Sequence, residues 1–372
     1  MKIFANRQKQ TVLTENYFVA TQWQLIIRKF KKHKLAILGF WVLAILYFVA
    51  IFSEFFSPWD MAKRDTRFIL SPPSKIHLFD NGKFIGPFVY GLSFTEDPRT
   101  WQKIYVEGKD EIHRLGFFIK GDPYRLWGLI NADRHFIGTK DQAPLFIFGT
   151  DQSGRDLFSR ILSGLRVSLT VGLVGVFFTF VLGCIFGGIA GYYGGLADLV
   201  ISRLVEFLQS MPSIPLWMAL AAALPKDWST MHIYFMITII LSVMGWTGLA
   251  RIVRGKLLQL RDEDFVMAAR LSGGNDAYLI RRHLLPGFMS YLIVNITLAV
   301  PGMILGETSL SFLGIGLRPP VVSLGVLLRD AQDVRAIALS PWFMIPGAFI
   351  IVIVLAFNFL GDGLRDAADP YK

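Results

Sequence analysis

The residues of this sequence that could do chemistry are few and widely spaced. Its six histidines, at positions 33, 77, 113, 135, 232 and 283, form no HExxH motif, and Cys184 is the only cysteine, so no zinc site is indicated. No GxxxxGK[ST] loop is present to hold a nucleotide phosphate. The sequence therefore predicts no catalytic residue, no metal ligand and no cofactor bound by this chain.

The most informative polar stretch, residues 262–286, separates two long apolar runs. Asp262 is suited to cap a first helix and Gly273 to end it, because glycine adopts a left-handed turn at little cost. Asn275 or Asp276 is suited to cap a second helix, and Pro286 to bound it. The pattern predicts a helix–turn–helix.

The small side chains of Ala268 and Ala269 would leave a smooth surface that another protein can approach closely. A charged helical hairpin between two membrane spans is poorly explained by packing alone. We interpret it as a contact site for a cytoplasmic partner. A DNA-binding helix–turn–helix is the alternative, but a recognition helix tethered this tightly between spans could hardly reach a groove, so no nucleic-acid partner is expected.

Composition indicates a membrane protein. Hydrophobic residues make up 53% of the chain and charged residues 18%, whereas soluble domains carry about 25% charged residues. Pro212 and Pro215 should kink or break the third apolar run. We predict an all-α polytopic membrane protein, because a span needs about 20 apolar residues and six runs reach that length, at 35–56, 167–190, 199–224, 233–250, 288–305 and 342–360.

Positive charges are concentrated beside the spans. Five Lys and Arg residues between 28 and 34 precede the first span, and seven between 251 and 282 follow the fourth. The positive-inside rule places both groups, and with six spans both termini, in the cytoplasm. The net charge of +10 is expected to meet anionic membrane lipid. Residues 1–34 are interpreted as a cytoplasmic segment ending in an interfacial helix with Trp23, or as a plain positive flank of the first span.

Residues 148–160 precede the second predicted span. Thr150 or Asp151 is suited to start a helix, and Leu157, Ile161 and Leu165 then fall on one line. The pattern predicts an amphipathic helix at the outer surface that leads into the span.

The polar hairpin segment resembles the cytoplasmic coupling loop of ABC-transporter permeases. That pattern is Glu-Ala-Ala, three residues, Gly, nine residues, Ile, one residue, Leu-Pro, and the spacing here matches throughout. Met267 stands in place of the Glu and His283 in place of the Ile, so contacts that depend on the Glu are not carried over. The resemblance implies that an ATPase is contacted by Met267, Ala268, Ala269, Arg270, Gly273, His283 and Pro286.

Motifs elsewhere resemble the peptide and nickel branch of the same permeases. Matches occur at 191–195, 306–314, 319–320 and 366–370. The chain is therefore similar to the C-type permease subunit of dipeptide/oligopeptide importers, which implies the type I ABC importer permease fold with six transmembrane helices. The outer amphipathic signature consists of Asp151, Gly154, Arg155, Asp156 and Arg160.

The resemblance also implies partners and location. A sister permease subunit would complete the pore, two ABC ATPase subunits would use ATP and Mg on the cytoplasmic side, and an extracytoplasmic solute-binding protein would deliver cargo. The chain would lie in the bacterial cytoplasmic (inner) membrane. Peptides are the expected cargo; nickel, peptide-like antibiotics and other solutes stay open as alternatives.

These predictions divide the chain into an N-terminal segment (1–34), a first transmembrane helix (35–57), an extracytoplasmic insertion (58–147) and a permease core (148–372) that contains the coupling loop (251–287). The small insertion is expected to be β-rich, with a hairpin at Asn81-Gly82 and short strands at 103–106 and 115–119. It would dock a partner or shield the pore mouth, with passive decoration as the alternative.

Some residues admit two interpretations. Glu206 is either an intramembrane site residue or the local partner of Arg203. Glu307 is expected at the outer mouth, where it caps or gates. Glycines spaced every four residues let a second helix approach closely, and that helix belongs either to the sister permease or to this chain. They are Gly183, Gly187, Gly191 and Gly195.

Two other functional classes are possible. A secondary transporter driven by an ion gradient usually has internal repeats and several buried ionisable groups at the midplane, and neither is convincing here. A membrane-anchored enzyme or receptor would place its activity in residues 60–147.

Overall fold

The computed structural model describes residues 22–96, 98, 103–225 and 227–369. The side chain of Trp23, which figures in the predicted interfacial helix, lies outside the described part. The helices are, in order, α1 (Gln22–Phe30), α2 (Lys34–Ile51), α3 (Ser53–Phe56), α4 (Leu157–Tyr193), α5 (Gly195–Ser210), α6 (Ser213–Ala222), α7 (Thr230–Leu260), α8 (Asp264–Leu271), α9 (Asp276–Tyr278), α10 (Leu285–Gly287), α11 (Met289–Phe312), α12 (Leu324–Arg329), α13 (Val334–Leu339) and α14 (Ile345–Ala368).

Five helical segments in the described part of the chain are long and apolar enough to cross a membrane. They are α2, α4, α7, α11 and α14 together with the 3-10 turn that precedes it. The third predicted span is not a single crossing helix. It is broken into α5 and α6 at Met211, which is extended (φ −88°, ψ 135°) because a residue before proline is disfavoured in the helical region.

The long helices pack around α4. With 37 residues, α4 is about 55 Å long and exceeds the ~30 Å hydrocarbon core, so its ends project beyond the apolar layer. It lies along α7 and also contacts α2 and α11. Side chains that are fully enclosed in this core come from four helices: Leu165, Leu241, Ile304 and Ile353.

A four-stranded antiparallel sheet lies between α3 and α4, in the order β1 (His77–Asp80), β2 (Lys83–Glu96), β3 (Lys103–Leu126) and β4 (Ile130–Thr139). Asn81 and Gly82 form the turn between β1 and β2, with φ of 45° and 80°. The strands predicted at 103–106 and 115–119 are parts of one strand, β3. Between them, Glu107, His113 and Arg114 still pair with β2, and Lys109–Glu111 bulge out at a register shift, so polarity does not end the strand.

Candidate functional site

The helical hairpin predicted between the fourth and fifth apolar runs is present, and we call residues 262–287 the hook. Its first helix, α8, begins after Glu263, so Asp262 is not the capping residue; Glu263 itself makes no side-chain cap bond. Gly273 has φ of 88° and turns the chain. Asn275 caps the second arm, because its side-chain oxygen accepts a hydrogen bond from Tyr278 N at 2.8 Å.

The second arm continues as a π-helix over Leu279–Leu284 and then α10. Pro286 lies inside α10, and the backbone leaves helical geometry only at Phe288 (φ −127°, ψ 21°). The arm therefore ends at Gly287, one residue beyond the proline, because a proline near the start of a helical turn is tolerated.

The base of the hook is buried. Val266, Leu279 and Leu284 are each 0% exposed and pack with residues at the ends of α7 and α11. Burying such side chains contributes about 1.5–3 kcal/mol each. The hook is thus a packed extension of the long helices, and a force on it reaches them directly.

A tyrosine at the end of α4 joins both arms of the hook. The Tyr192 hydroxyl donates to Asp276 Oδ1 at 2.6 Å and accepts from Arg270 Nη2 at 3.0 Å. Arg270 belongs to the first arm and Asp276 to the second, so one hydroxyl bridges them. Sequence analysis singled out Arg270 but missed this role of Tyr192; its only signal was membership of the matched 191–195 motif.

The free face of the hook is apolar. Leu271 is 86% exposed, Phe265 47% and Met267 44%, and Ala268 is exposed between them. Of the other predicted contact residues, Arg270, Gly273 and Pro286 are exposed, whereas Ala269 and His283 are half-buried.

The first part of the outer signature forms a charged network, and the helix starts only at its Asp156. Asp151 is buried and accepts from Arg155 Nε at 2.7 Å and from Arg160, whose own side chain is buried. Helix α4 begins at Leu157 after the cap Asp156, so Thr150 and Asp151 do not start it. Backbone hydrogen bonds from Asp151 N to Arg155 O and from Gly154 N to Asp151 O close a turn here, so these residues are not helical.

Gly154 belongs to the same network. Its φ is 71°, and a Cβ there would lie 2.0 Å from the carbonyl oxygen of Asp65. Only glycine fits this approach. The stripe of Leu157, Ile161 and Leu165 is buried in the helical core, so it does not lie on a membrane surface.

Asp156 is the buried cap of α4. Its Oδ2 accepts from Ser159 N at 2.8 Å and from Ser159 Oγ at 2.6 Å. Burial raises the pKa of Asp156 to about 6, partly opposed by these hydrogen bonds.

Three of the four spaced glycines pack against α7 of the same chain. A Cβ at Gly183, Gly187 or Gly191 would lie 2.5–2.8 Å from atoms of α7. Gly195 has φ of 54° and no such neighbour within 4 Å. Gly183, Gly187 and Gly191 therefore pack against a helix of this chain, and not against a sister subunit.

The two acidic residues with open roles are both accounted for by local contacts. Arg203 Nη1 donates to Glu206 Oε2 at 2.7 Å on an exposed helix face. Glu307 is fully buried inside α11 and accepts from Ser311 Oγ at 2.7 Å and Ser168 Oγ at 3.2 Å. It does not cap the end of α11, because the helix continues to Phe312.

A cavity of about 590 Å³ opens at the break between α5 and α6. Thr179 Oγ1 and Trp217 Nε1 are buried there without a hydrogen-bond partner in the described part of the chain. The cavity was not predicted from the sequence, although the helix-breaking Pro212 lies between two of its lining residues, Met211 and Ser213. Its lining consists of Thr179, Gln209, Met211, Ser213, Trp217, Leu241, Met244, Gly245, Thr247, Ala299, Gly302 and Met303.

Long apolar helices around a cavity at a helix break, with a packed hook at one end, define an integral membrane component of a transport system. The profile described as "Binding-protein-dependent transport system inner membrane component" matches residues 183–371, and that described as "N-terminal TM domain of oligopeptide transport permease C" matches 21–73. The chain belongs to this family of ABC-transporter permeases and is a multi-pass inner-membrane protein.

Similar proteins carry permease names. The dipeptide transport system permease protein DppC of Bacillus subtilis (strain 168) is 40% identical over 60% of this chain and 68% of that protein. The oligopeptide transport system permease protein OppC of Haemophilus influenzae is 42% identical over 60% and 70%. DppC of Lactococcus lactis subsp. cremoris (strain MG1363) is 32% identical over 92% and 89%, so this similarity reaches into the sheet region.

Proposed function

We propose that this chain forms half of the translocation pore of an ATP-driven peptide importer and receives its energy through the hook. The relatives' names as dipeptide and oligopeptide permeases support the cargo. A sister permease would complete the pore, two ATPase subunits binding ATP and Mg would grip the hook, and a solute-binding protein would deliver peptide. The ATP-hydrolysing site belongs to the ATPases in this proposal.

The directions of the helices support a cytoplasmic hook. Arg166, near the start of α4, donates to the carbonyl oxygens of Ala50 and Ile51 at the end of α2, so the two helices are antiparallel. The start of α2 and the hook therefore lie at one end, and the sheet at the other. Lys29 Nζ donates to Asp369 O at 2.8 Å, which joins α1 to the end of α14. The positive-inside rule makes this end cytoplasmic and the sheet extracytoplasmic.

The observation that carries the coupling role is the apolar exposed face of the hook on a buried base. An exposed apolar patch rimmed by charges is typical of a protein contact. When ATP binding closes the ATPases, the hook moves with them and biases the spans between inward and outward openings. Met267, Ala268, Arg270 and Leu271 would meet the ATPase, with Gly273 and Pro286 shaping the arms.

The cavity supports a transport path. Trp217 Nε1 can donate a hydrogen bond to a peptide carbonyl, and Thr179 Oγ1 can donate or accept one. Methionines at 211, 244 and 303 give the wall an adaptable apolar surface, which suits cargo with varied side chains.

A charged substitution on the free face tests the coupling role. Ala268→Asp should leave membrane insertion intact but uncouple peptide uptake from ATP hydrolysis, because it places a carboxylate in an apolar contact. Both rates would be measured on the complex reconstituted in liposomes. Ala268 is preferable to the half-buried Ala269, because an Asp at position 269 would also disturb packing at the base of the hook.

Ala62→Asp is the matched control, because Ala62 is an exposed alanine at the opposite end of the spans. It should keep both rates near wild type. Unchanged uptake per ATP in Ala268→Asp would contradict the assignment of this face.

A further inference from the structure

The turn between β3 and β4 carries an exposed apolar tip. Leu129 is 82% exposed, Ile130 54% and Trp127 49%. The turn has a tight backbone, with φ of 53° at Trp127 and 73° at Gly128. Three large apolar side chains at the end of a hairpin are unfavourable in water, so the tip needs an apolar neighbour.

Contacts along the hairpin show that it points back toward the transmembrane region. His135, in the middle of β4, hydrogen-bonds to Ser57 O. Nearer the tip, Trp127 Nε1 donates to Ile51 O at 2.8 Å. As the hairpin approaches its tip, the contacted residue moves from 57 back to 51, at the last turn of α2.

The position of the tip along the membrane normal follows from the end of α2 and from Arg166 on α4. α2 has 18 residues, about 27 Å of helix, close to the ~30 Å of a hydrocarbon core. Its terminal carbonyl oxygen at Ile51 also accepts from Arg166 Nη2 at 2.9 Å, and charged groups mark the edge of the apolar layer. Trp127 therefore lies level with the end of the apolar helix α2.

Aromatic rings connect the tip with the lipid-facing side of α2. The ring of Phe48, which is 55% exposed, lies 5.1 Å from that of Phe52, and Phe52 lies 5.6 Å from Trp127. α2 is also the least covered of the five apolar helices. The exposed tip is thus continuous with the surface that α2 presents to lipid.

We propose that the β3–β4 turn, residues 127–130, is a membrane anchor that inserts into the leaflet at the C-terminal end of α2. The indole ring lies at the interface, where tryptophan is favoured, and Leu129 and Ile130 reach the upper acyl chains. Exposed Arg125, two residues before Trp127, is placed to meet lipid phosphates. The anchor fixes the sheet against the membrane at a second point besides the chain connections.

Site-directed spin labelling tests the anchor in the full-length chain with its co-purified partners, in lipid nanodiscs. Cys184 is the only cysteine of this chain, so Cys184→Ala supplies a chain without thiols, which is labelled before the partners are added. A nitroxide at Leu129→Cys should collide with oxygen, which partitions into lipid, several-fold more than with a water-soluble nickel chelate. Ile130→Cys should give the same ordering.

The matched control is Phe84→Cys, beside the β1–β2 turn, where Phe84 is 67% exposed on the same sheet. It should favour the nickel chelate. A label at 129 as accessible to nickel as that at 84 would overturn the anchor. A label at 129 immobilised and shielded from both reagents would also overturn it, since the tip would then be covered by protein. Neither result depends on cargo or on coupling to ATP.

Discussion

At the scale of single residues, two opposing effects act on the carboxyl group of Asp156. As the cap of α4 it hydrogen-bonds the first turn, which a carboxylate does well. Its complete burial disfavours the charged form and raises its pKa to about 6. An acid whose pKa is raised in the folded state stabilises the fold below its unfolded pKa of 3.8 and loses that contribution as pH rises through about 6.

Asp156→Asn should therefore gain stability relative to wild type as pH rises from 4 to 7, by up to ~3 kcal/mol for a pKa difference of about two units. Asparagine caps helices about as well as aspartate, so the substitution isolates the charge. The measurement is apparent thermal stability in detergent across this pH range. Exposed Asp110→Asn is the control and should show a flat difference; a flat difference for Asp156→Asn as well would contradict the buried charge.

At the scale of elements, the hook depends on contacts between its two short helices and α4. Neither α8, with eight residues, nor the three-residue α9 is long enough to be stable alone. Packing of the buried base and the hydrogen bonds of the Tyr192 hydroxyl stabilise these two short helices. The hook should therefore transmit displacement as a unit only while this bridge is intact.

Tyr192→Phe should loosen the hook and lower the peptide imported per ATP several-fold, with insertion unchanged. Hydrogen bonds to charged groups are worth about 1.5–3 kcal/mol, and less at a partly exposed site such as this one. Tyr193→Phe is the neighbouring control, because that side chain is 58% exposed. Equal coupling ratios in the two variants would remove Tyr192 from the transmission path.

At the scale of the whole molecule, the sheet and the hook lie at opposite ends of α4, with the cavity between them. Helix α1 and the end of α14 meet at the hook end, where Lys29 Nζ donates to Asp369 O. This separation means that a change in the cavity should affect passage of cargo without altering either end.

Gly302→Leu tests the cavity as the transport path. A Cβ at Gly302 meets nothing within 4 Å, so leucine should enter open space and narrow the cavity without a clash. Uptake should fall at least several-fold, most for bulky peptides, while ATP hydrolysis and assembly persist. Gly255→Leu is the control, since Gly255 is equally open but lies outside the cavity lining. Uptake of bulky peptides at the wild-type rate in Gly302→Leu would exclude this path.

Structural features that depend on adjacent residues were predictable from the sequence, whereas contacts between residues far apart in the chain were not. The turn at Asn81-Gly82, the cap at Asn275 and the break at Pro212 each depend on a few adjacent residues. The sequence alone does not identify the start of α4, because Thr150, Asp151 and Asp156 are all good caps and only the fold of the preceding loop selects Asp156. The contact of Tyr192 with the hook joins residues 84 apart, which no periodicity reveals.

The interlocked backbones of α4 and α7 limit how the molecule can change shape. The gaps at Gly183, Gly187 and Gly191 on α4 are each filled by an atom of α7, at intervals of four residues, or about 6 Å. A slip of less than one interval would push side chains into backbone, so the pair behaves as a rigid rod. Any rearrangement during a cycle must be taken up at joints elsewhere, such as the extended backbone at Met211, which lines the cavity.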